Sequence, residues 1–316
     1  MKVLLTDNLA AEAVTIFDGY PEIEPLVRDT LSPEHLLEAV ADCDAMVVRS
    51  PTKVTAAVIE AAARLRFIGR AGVGVDNIDV DAASARGVVV MNSPGGNTVS
   101  TAEHTVAVML AVARHVPQAH ESVRAGRWDR KAYRGVEMYE KTLGIVGLGR
   151  VGREVARRMN GFGMTVIGAD PYVDASSAQA AGARRVSFDE VLARSDWITV
   201  HVPLGPDTRG LIGRDEIARM QRGVVLINCA RGGIIDESAL DAALESGHVA
   251  AAGLDVYEAE PPAGNPLLRH AACVFTPHLG AATQEAQVRV ATEVARCVAD
   301  ALVGREVRNA VNRPGA

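Results

Sequence analysis

Aromatic side chains are scarce in this chain. Two Trp, five Tyr and five Phe make up 4% of 316 residues, so a core must be filled by Val, Leu, Ile and Ala. Charge of one sign is scarce as well: 33 Lys and Arg against 39 Asp and Glu leave a net −6, with no long run of either. A nucleic-acid footprint needs a basic patch, and none is visible. No apolar run reaches the ~18 residues that a membrane span needs. The opening stretch 1–14 carries one lysine and then Asp7 and Glu12, which is not the pattern of a cleaved leader. Cys43, Cys229, Cys273 and Cys297 are scattered without metal-ligand spacing and read as buried thiols of a reducing cytoplasm, with no metal expected.

Aliphatic residues are plentiful, and they recur in short runs. Hydrophobic residues reach 48%, enough for two cores, and the length gives a prior of about two domains. Strand-like runs at 3–5, 45–48, 67–69 and 88–91 alternate with helical segments at 9–17, 33–42 and 54–65, the second opened by Ser32 and Pro33 as cap and first helical residue. From Thr98 the pattern turns to long helices, TVSTAEHTVAVMLAVARHVPQ followed by AHESVRAG, and then to a loop, RWDRKAYRGVEMYEK. Further strand runs stand at 143–146, 166–168, 197–200, 224–227, 251–256 and 274–276, and a last helix at about 283–303. Regular β–α alternation predicts parallel sheets covered by helices. The leftover final helix predicts a return to the first domain. The expected fold is α/β, two Rossmann-like or flavodoxin-like parallel-sheet domains with a cleft between them. Residues 1–97 with 283–316 form the discontinuous domain, and 98–282 the inserted one.

One stretch has a definite chemical reading. TLGIVGLGRVGREVARRMNGFGMTVIGAD, from Thr142 to Asp170, is a strand, a G-x-G-x-x-G turn at Gly147, Gly149 and Gly152, a helix and a second strand. The glycines permit a tight turn, approach of a pyrophosphate to the backbone and close helix–strand packing. Asp170, 18 residues beyond Gly152, is placed to accept both ribose hydroxyls and to repel a 2′-phosphate, which favours NAD over NADP.

In open parallel sheets ligands bind beyond the carboxyl ends of strands. Polar residues follow three further strand runs there: Arg231 after GVVLIN, Glu258 and Glu260 after AAGLDV, and His278 after CVFTP. An arginine can clamp a carboxylate through paired N–H groups. A histidine, with an ordinary pKa near ~6.5, can exchange a proton near neutrality. An acid on its second nitrogen would stabilise the imidazolium. Each alone has an ordinary structural explanation. Together, beside a dinucleotide fingerprint, they describe a hydride-transfer site.

RAGVGVDNIDVDAA at 70–83, the fingerprint, NCARGGIIDE at 228–237, GLDVYEAEPP at 253–262 and TPHLGA at 276–281 resemble the D-2-hydroxyacid dehydrogenase family. The spacings agree too, 29 residues from Arg231 to Glu260 and 18 more to His278. The resemblance implies Arg231, Glu260 and His278 as the catalytic arginine, acid and acid/base. It implies Arg150 and Val151 at the pyrophosphate, and Val202, Cys229, Ala230, Asp255 and the run from His278 through Gly280 to Ala281 near the nicotinamide. Val73, Gly74 and Asn97 match substrate-loop positions. Val73 replaces a threonine of some members and so loses that side-chain hydrogen bond.

VRSPTKV at 48–54, the N-x-P-x-x-N run ending at Asn97 and GRWDRK are similar to the phosphoglycerate branch of the family, with Arg49, Arg70 and Arg130 at basic positions that could receive a substrate phosphate. The expected reaction is NAD-linked oxidation of D-3-phosphoglycerate to the keto acid, with no nucleic-acid or membrane partner. The alternatives are a glyoxylate, hydroxypyruvate or sulfolactate enzyme of the same family and, from another class, an NAD-sensing corepressor-like binding protein. Trp128 matches a residue that packs on a partner subunit, implying a homodimer. The sequence ends at Ala316, and the expectation is that the regulatory domain many such enzymes carry is not part of this protein.

Overall fold

The computed structural model describes residues 1–314. The chain divides into two compact units, Met1–Asn97 with Ala281–Ala316, and Thr98–Gly280. Gly315 and Ala316, assigned from sequence to the discontinuous domain, lie outside the described residues.

The first unit is built on five strands, β1 (Lys2–Leu5), β2 (Glu24–Val27), β3 (Ala45–Val48), β4 (Phe67–Arg70) and β5 (Val89–Asn92). They form one sheet in the order β2-β1-β3-β4-β5, and every pairing is parallel. Because side chains alternate across a strand, a sheet covered on both faces needs apolar residues at consecutive positions. Val3, Leu5, Ala45 and Val47 accordingly enter one apolar cluster, and Leu4, Met46, Val48 and Ile68 the other. The helix Gln284–Leu302 closes the first face with Val290, Val294 and Val298, each such burial being worth roughly 1.5–3 kcal/mol. It lies so close to β4 that a Cβ on Gly69 would come within 2.8 Å of methyls of both Val294 and Val298. That apolar face is why the last helix belongs to the first unit.

The second unit carries β6 (Thr142–Val146), β7 (Thr165–Ala169), β8 (Arg184–Arg185), β9 (Trp197–Val200), β10 (Val224–Asn228), β11 (Val249–Leu254) and β12 (Val274–Phe275). Their order is β12-β11-β10-β9-β6-β7-β8, again all parallel. The chain winds outward from β6 through β7 and β8, then restarts at β9 on the other side of β6. Such a switch point opens a crevice at the carboxyl ends of β6 and β9.

The structure departs from the sequence reading in places with clear causes. β2 is an edge strand whose EPLV residues are at best half-buried, and β8 is two exposed arginines, so neither carries an apolar run. The helix expected to continue to Gln118 ends at Arg114, and a second begins at Val116 after a left-handed His115 with φ of 52°. Pro117 has no N–H to continue the first helix but suits the first turn of the next. The helix expected over 54–65 is confined to Ala56–Ala61, since Val54 bridges Ile78 instead. No described helix is long and apolar enough to cross a membrane.

Candidate active site

At the end of β6 the chain turns through Gly147, whose φ of 96° is a region that L side chains rarely adopt. A Cβ there would also sit 2.6 Å from the His201 carbonyl oxygen. Five residues on, a Cβ at Gly152 would overlap the Gly147 carbonyl, so only glycine lets the helix Arg150–Asn160 approach β6 this closely. Gly149 differs from both: nothing lies within 4 Å of its Cβ position, and it caps the helix with no side chain. The first-turn N–H groups are therefore offered to an anion beside open space. Arg150 is exposed and Val151 half-buried on that first turn.

Asp170, just past β7, is fixed by the same turn. Its Oδ2 accepts from Leu148 N at 2.8 Å, and its Oδ1 from Tyr172 N at 2.8 Å and Val173 N at 3.1 Å. A cradle without side chains, a helix start and a held carboxylate fit a dinucleotide diphosphate and its ribose. Val202, half-buried after β9, packs against Gly147.

Beyond β10 the loop is clasped by Asn228. Its Oδ1 accepts from Ala230 N at 3.0 Å, and its Nδ2 donates to the Arg231 carbonyl at 2.8 Å. Arg231 itself donates from Nη1 to the Ala230 carbonyl at 2.7 Å. A Cβ on Gly232 would overlap the Tyr257 carbonyl, so this loop lies directly against the one leading to Glu260. Glu260 in turn reaches His278: Oε2 lies 2.9 Å from His278 Nδ1. The two side chains remain 40% and 46% exposed, open enough for a substrate to reach. With Glu260 accepting from Nδ1–H, Nε2 is left as the proton acceptor. His278 holds a left-handed backbone, φ 57°, unusual for a residue other than glycine, and its N–H donates to the Asp255 carbonyl at 2.8 Å.

Asp255 was expected near the cofactor, and the structure gives it a further role that the sequence did not signal. It is fully buried, at 0% exposure. Oδ1 accepts from Thr276 Oγ1 at 2.6 Å and Leu279 N at 2.7 Å, and Oδ2 from Gly280 N at 2.9 Å. His104 Nε2 stands 3.1 Å from Oδ1. Burial by itself would raise this carboxyl, but the bonds from His104, Thr276 and Leu279 outweigh it and hold the group below the usual carboxylate range. The Tyr257 hydroxyl ties the ends of β11 and β12, donating toward the Leu254 and Thr276 carbonyls. Cys229 is buried beside Asp255, and burial pushes its thiol up to about 12, so it lines the site as a neutral group. His104 has no local signal, since 151 residues separate it from Asp255. His201, directly after β9, is a further polar strand-end residue that its position in the sequence could have signalled. Burial drives its imidazole down to about 4.

The second unit thus carries the Gly147–Gly152 cradle, Asp170, Arg231, Asp255, Glu260, His278 and Gly280 at the carboxyl ends of its strands, with Ala230 half-buried among them. Arg130 is exposed on the loop 127–141 of the same unit. Ala281, Arg49, Arg70, Val73, Gly74 and Asn97 belong to the first unit. There Arg49 donates from its backbone N to Asp7 Oδ2 at 2.7 Å, and Arg70 from Nη2 to Ser50 Oγ at 2.6 Å. The Val73 carbonyl accepts from Asn92 Nδ2 at 2.6 Å.

Residues 106–280, more than half of the chain, match the NAD-binding domain of the D-isomer specific 2-hydroxyacid dehydrogenases. The chain belongs to this family. It is 49% identical over 315 residues to a D-3-phosphoglycerate dehydrogenase of Methanocaldococcus jannaschii, covering 99% of this chain and 60% of that one. It therefore spans about 60% of the length of the curated relatives it matches. A glyoxylate reductase structure from Paecilomyes thermophila superposes with a TM-score of 0.89 at 34% identity, covering 98% of each chain. A formate dehydrogenase from Staphylococcus aureus in complex with NAD gives 0.87 at 30% identity, covering 100% of both. All three are dehydrogenases or reductases, and the strand order and the Gly147–Asp170 cradle are those of a NAD-binding member.

Proposed function

We propose that the chain catalyses NAD-linked oxidation of a D-2-hydroxy acid to the 2-keto acid, with D-3-phosphoglycerate as its substrate. The observation that carries the reaction class is the His278–Glu260 pair at 2.9 Å, on the same sheet edge as the dinucleotide cradle. His278 Nε2 takes the hydroxyl proton, and the Glu260 carboxylate on Nδ1 stabilises the imidazolium that forms. Arg231 clamps the substrate carboxylate through its fork of N–H donors. We take the first unit as the substrate-binding part, with Val73, Gly74 and Asn97 as its substrate-loop residues and their backbone N–H groups as donors for a carboxylate. Bound NAD supplies the acceptor for the hydride that leaves C2.

The phosphorylated substrate rests on the 49% identity to a named D-3-phosphoglycerate dehydrogenase, with Arg49, Arg70 and Arg130 as the candidate cations for a phosphate. A homodimer is part of the same reading, with Trp128, 76% exposed, as a contact residue. So is a cytoplasmic setting, where four free thiols stay reduced.

Nicotinamide absorbance tests the reading, with D-3-phosphoglycerate, glyoxylate and hydroxypyruvate each offered with NAD(H) and NADP(H). Turnover with NAD and the phosphorylated acid is expected. Turnover with glyoxylate alone would move the assignment to the glyoxylate reductases, and none with any acid would sink it.

A further inference from the structure

The helix Thr98–Arg114 lies beneath the loop that carries His278, and one of its faces is hydrogen-bonded to that loop at two places. Thr101 Oγ1 donates to the Gly280 carbonyl at 3.2 Å. One turn further along the same face, His104 Nε2 lies 3.1 Å from Asp255 Oδ1 and 3.1 Å from Thr276 Oγ1. The two residues held in this way, Thr276 and Gly280, bracket His278 on both sides. Between them the histidine keeps its left-handed φ of 57°.

Such a conformation is unfavourable for a residue with a Cβ and persists only where its flanks are over-determined. Asp255 does this by receiving Thr276, Leu279 and Gly280 on one buried carboxylate, while its own carbonyl receives the His278 N–H. A carboxylate removed from water needs a full set of donors. Thr276 spends its single hydroxyl proton on Asp255 at 2.6 Å, which leaves the hydroxyl oxygen as an acceptor for His104 Nε2–H. The single His104 Nε2–H is thus shared between Thr276 Oγ1 and Asp255 Oδ1, 3.1 Å from each.

We infer that His104 is a positioning residue, which locks Thr276 and Asp255 and through them holds the His278 imidazole against Glu260. This rests on the reading of His278 as the acid/base. Without His104, Thr276 would be free to turn its hydroxyl away, and Asp255 would draw the 276–280 segment into a new arrangement. The substrate's proton acceptor would then be misplaced, although no group that touches substrate had been changed.

The test compares His104→Leu with His104→Gln, whose amide N–H reaches toward the Nε2 position. Three quantities are measured on the full chain: kcat and KM, the NAD dissociation constant by fluorescence, and the ring-nitrogen NMR signals of His278. The Leu variant should lose roughly 10- to 100-fold in kcat, as a displaced catalytic group does. Its NAD affinity should be unchanged, and its His278 Nδ1 signal should lose the signature of the Glu260 bond. The Gln variant should recover much of each. If Leu fails to fold, His104→Asn, too short to reach Thr276, takes its place.

Unchanged kcat and His278 signals would overturn the inference. So would a defect confined to NAD affinity, because His104 would then act on the cofactor side of Asp255. If the unaltered protein turned over no hydroxy acid, the proposed reaction would fall, while the His278 signals would still decide whether His104 orients that ring.

Discussion

At the scale of single residues, the site separates groups that must exchange protons from groups that must not. His278 and Glu260 are partly exposed and paired, whereas Cys229 and Tyr257 are buried and pushed up to about 12, out of reach of neutral-pH chemistry. His278→Ala should therefore cut kcat by roughly 10²- to 10⁴-fold, the usual range for losing a general base. NAD affinity by fluorescence titration should be preserved, and near-normal turnover would remove the assigned role. His201 gives a prediction of a different kind. Its imidazole is depressed from 6.5 to about 4, so between those values the unfolded chain binds a proton that the folded one refuses. Stability rises with pH wherever the unfolded state binds more protons. As pH falls from 6.5 toward 4, the unaltered protein should lose stability relative to His201→Gln, with no difference growing above 6.5. Denaturant midpoints across that range would show it, and parallel curves would refute it.

At the scale of elements, the turn between β6 and its helix carries a tight constraint. Gly152 touches the Gly147 carbonyl, and backbone on one side and a helix on the other cannot both give way. Gly152→Ala should destabilise the protein by about 1–3 kcal/mol, the usual cost of over-packing. It should also weaken NAD binding, since the cradle and the Leu148 N–H that fixes Asp170 shift together. Gly149→Ala, with nothing within 4 Å, should fold normally and lose only cofactor affinity. Melting curves and NAD titrations separate the two, and equal melting losses would contradict the difference in packing.

At the scale of the whole molecule, the composition and the division of the chain go together. With 4% aromatics, the cores are filled by aliphatic side chains on alternate strand positions, and each sheet needs helices on both faces. Some large rings are left exposed, Tyr172 at 94%, and Trp128 at 76% and Tyr139 at 61% on the loop 127–141. An exposed aromatic of this size suits a subunit contact. Trp128→Glu should shift the protein toward monomer in sedimentation velocity while leaving its circular dichroism unchanged. A monomeric unaltered protein would sink the proposed dimer.

Much of this protein was written locally. The fold class followed from β–α alternation, because two-sided burial forces continuous apolar runs that are visible in sequence. The cradle followed from Gly147, Gly149, Gly152 and Asp170, because tight turns and close approach admit few residue types. β2 and β8 were invisible because an exposed edge needs no apolar pattern, and the break at His115 was masked by helical spacing on both sides of Pro117. What the sequence alone determined is the set of chemical groups and the strand ends that bear them. Only the tertiary structure decided that Asp255 is a buried hub, that His104 serves it from 151 residues away, and that His278 sits in a left-handed conformation. Hydrogen bonds between distant segments depend on how helices pack on the sheet, and spacing along the chain carries no record of that packing.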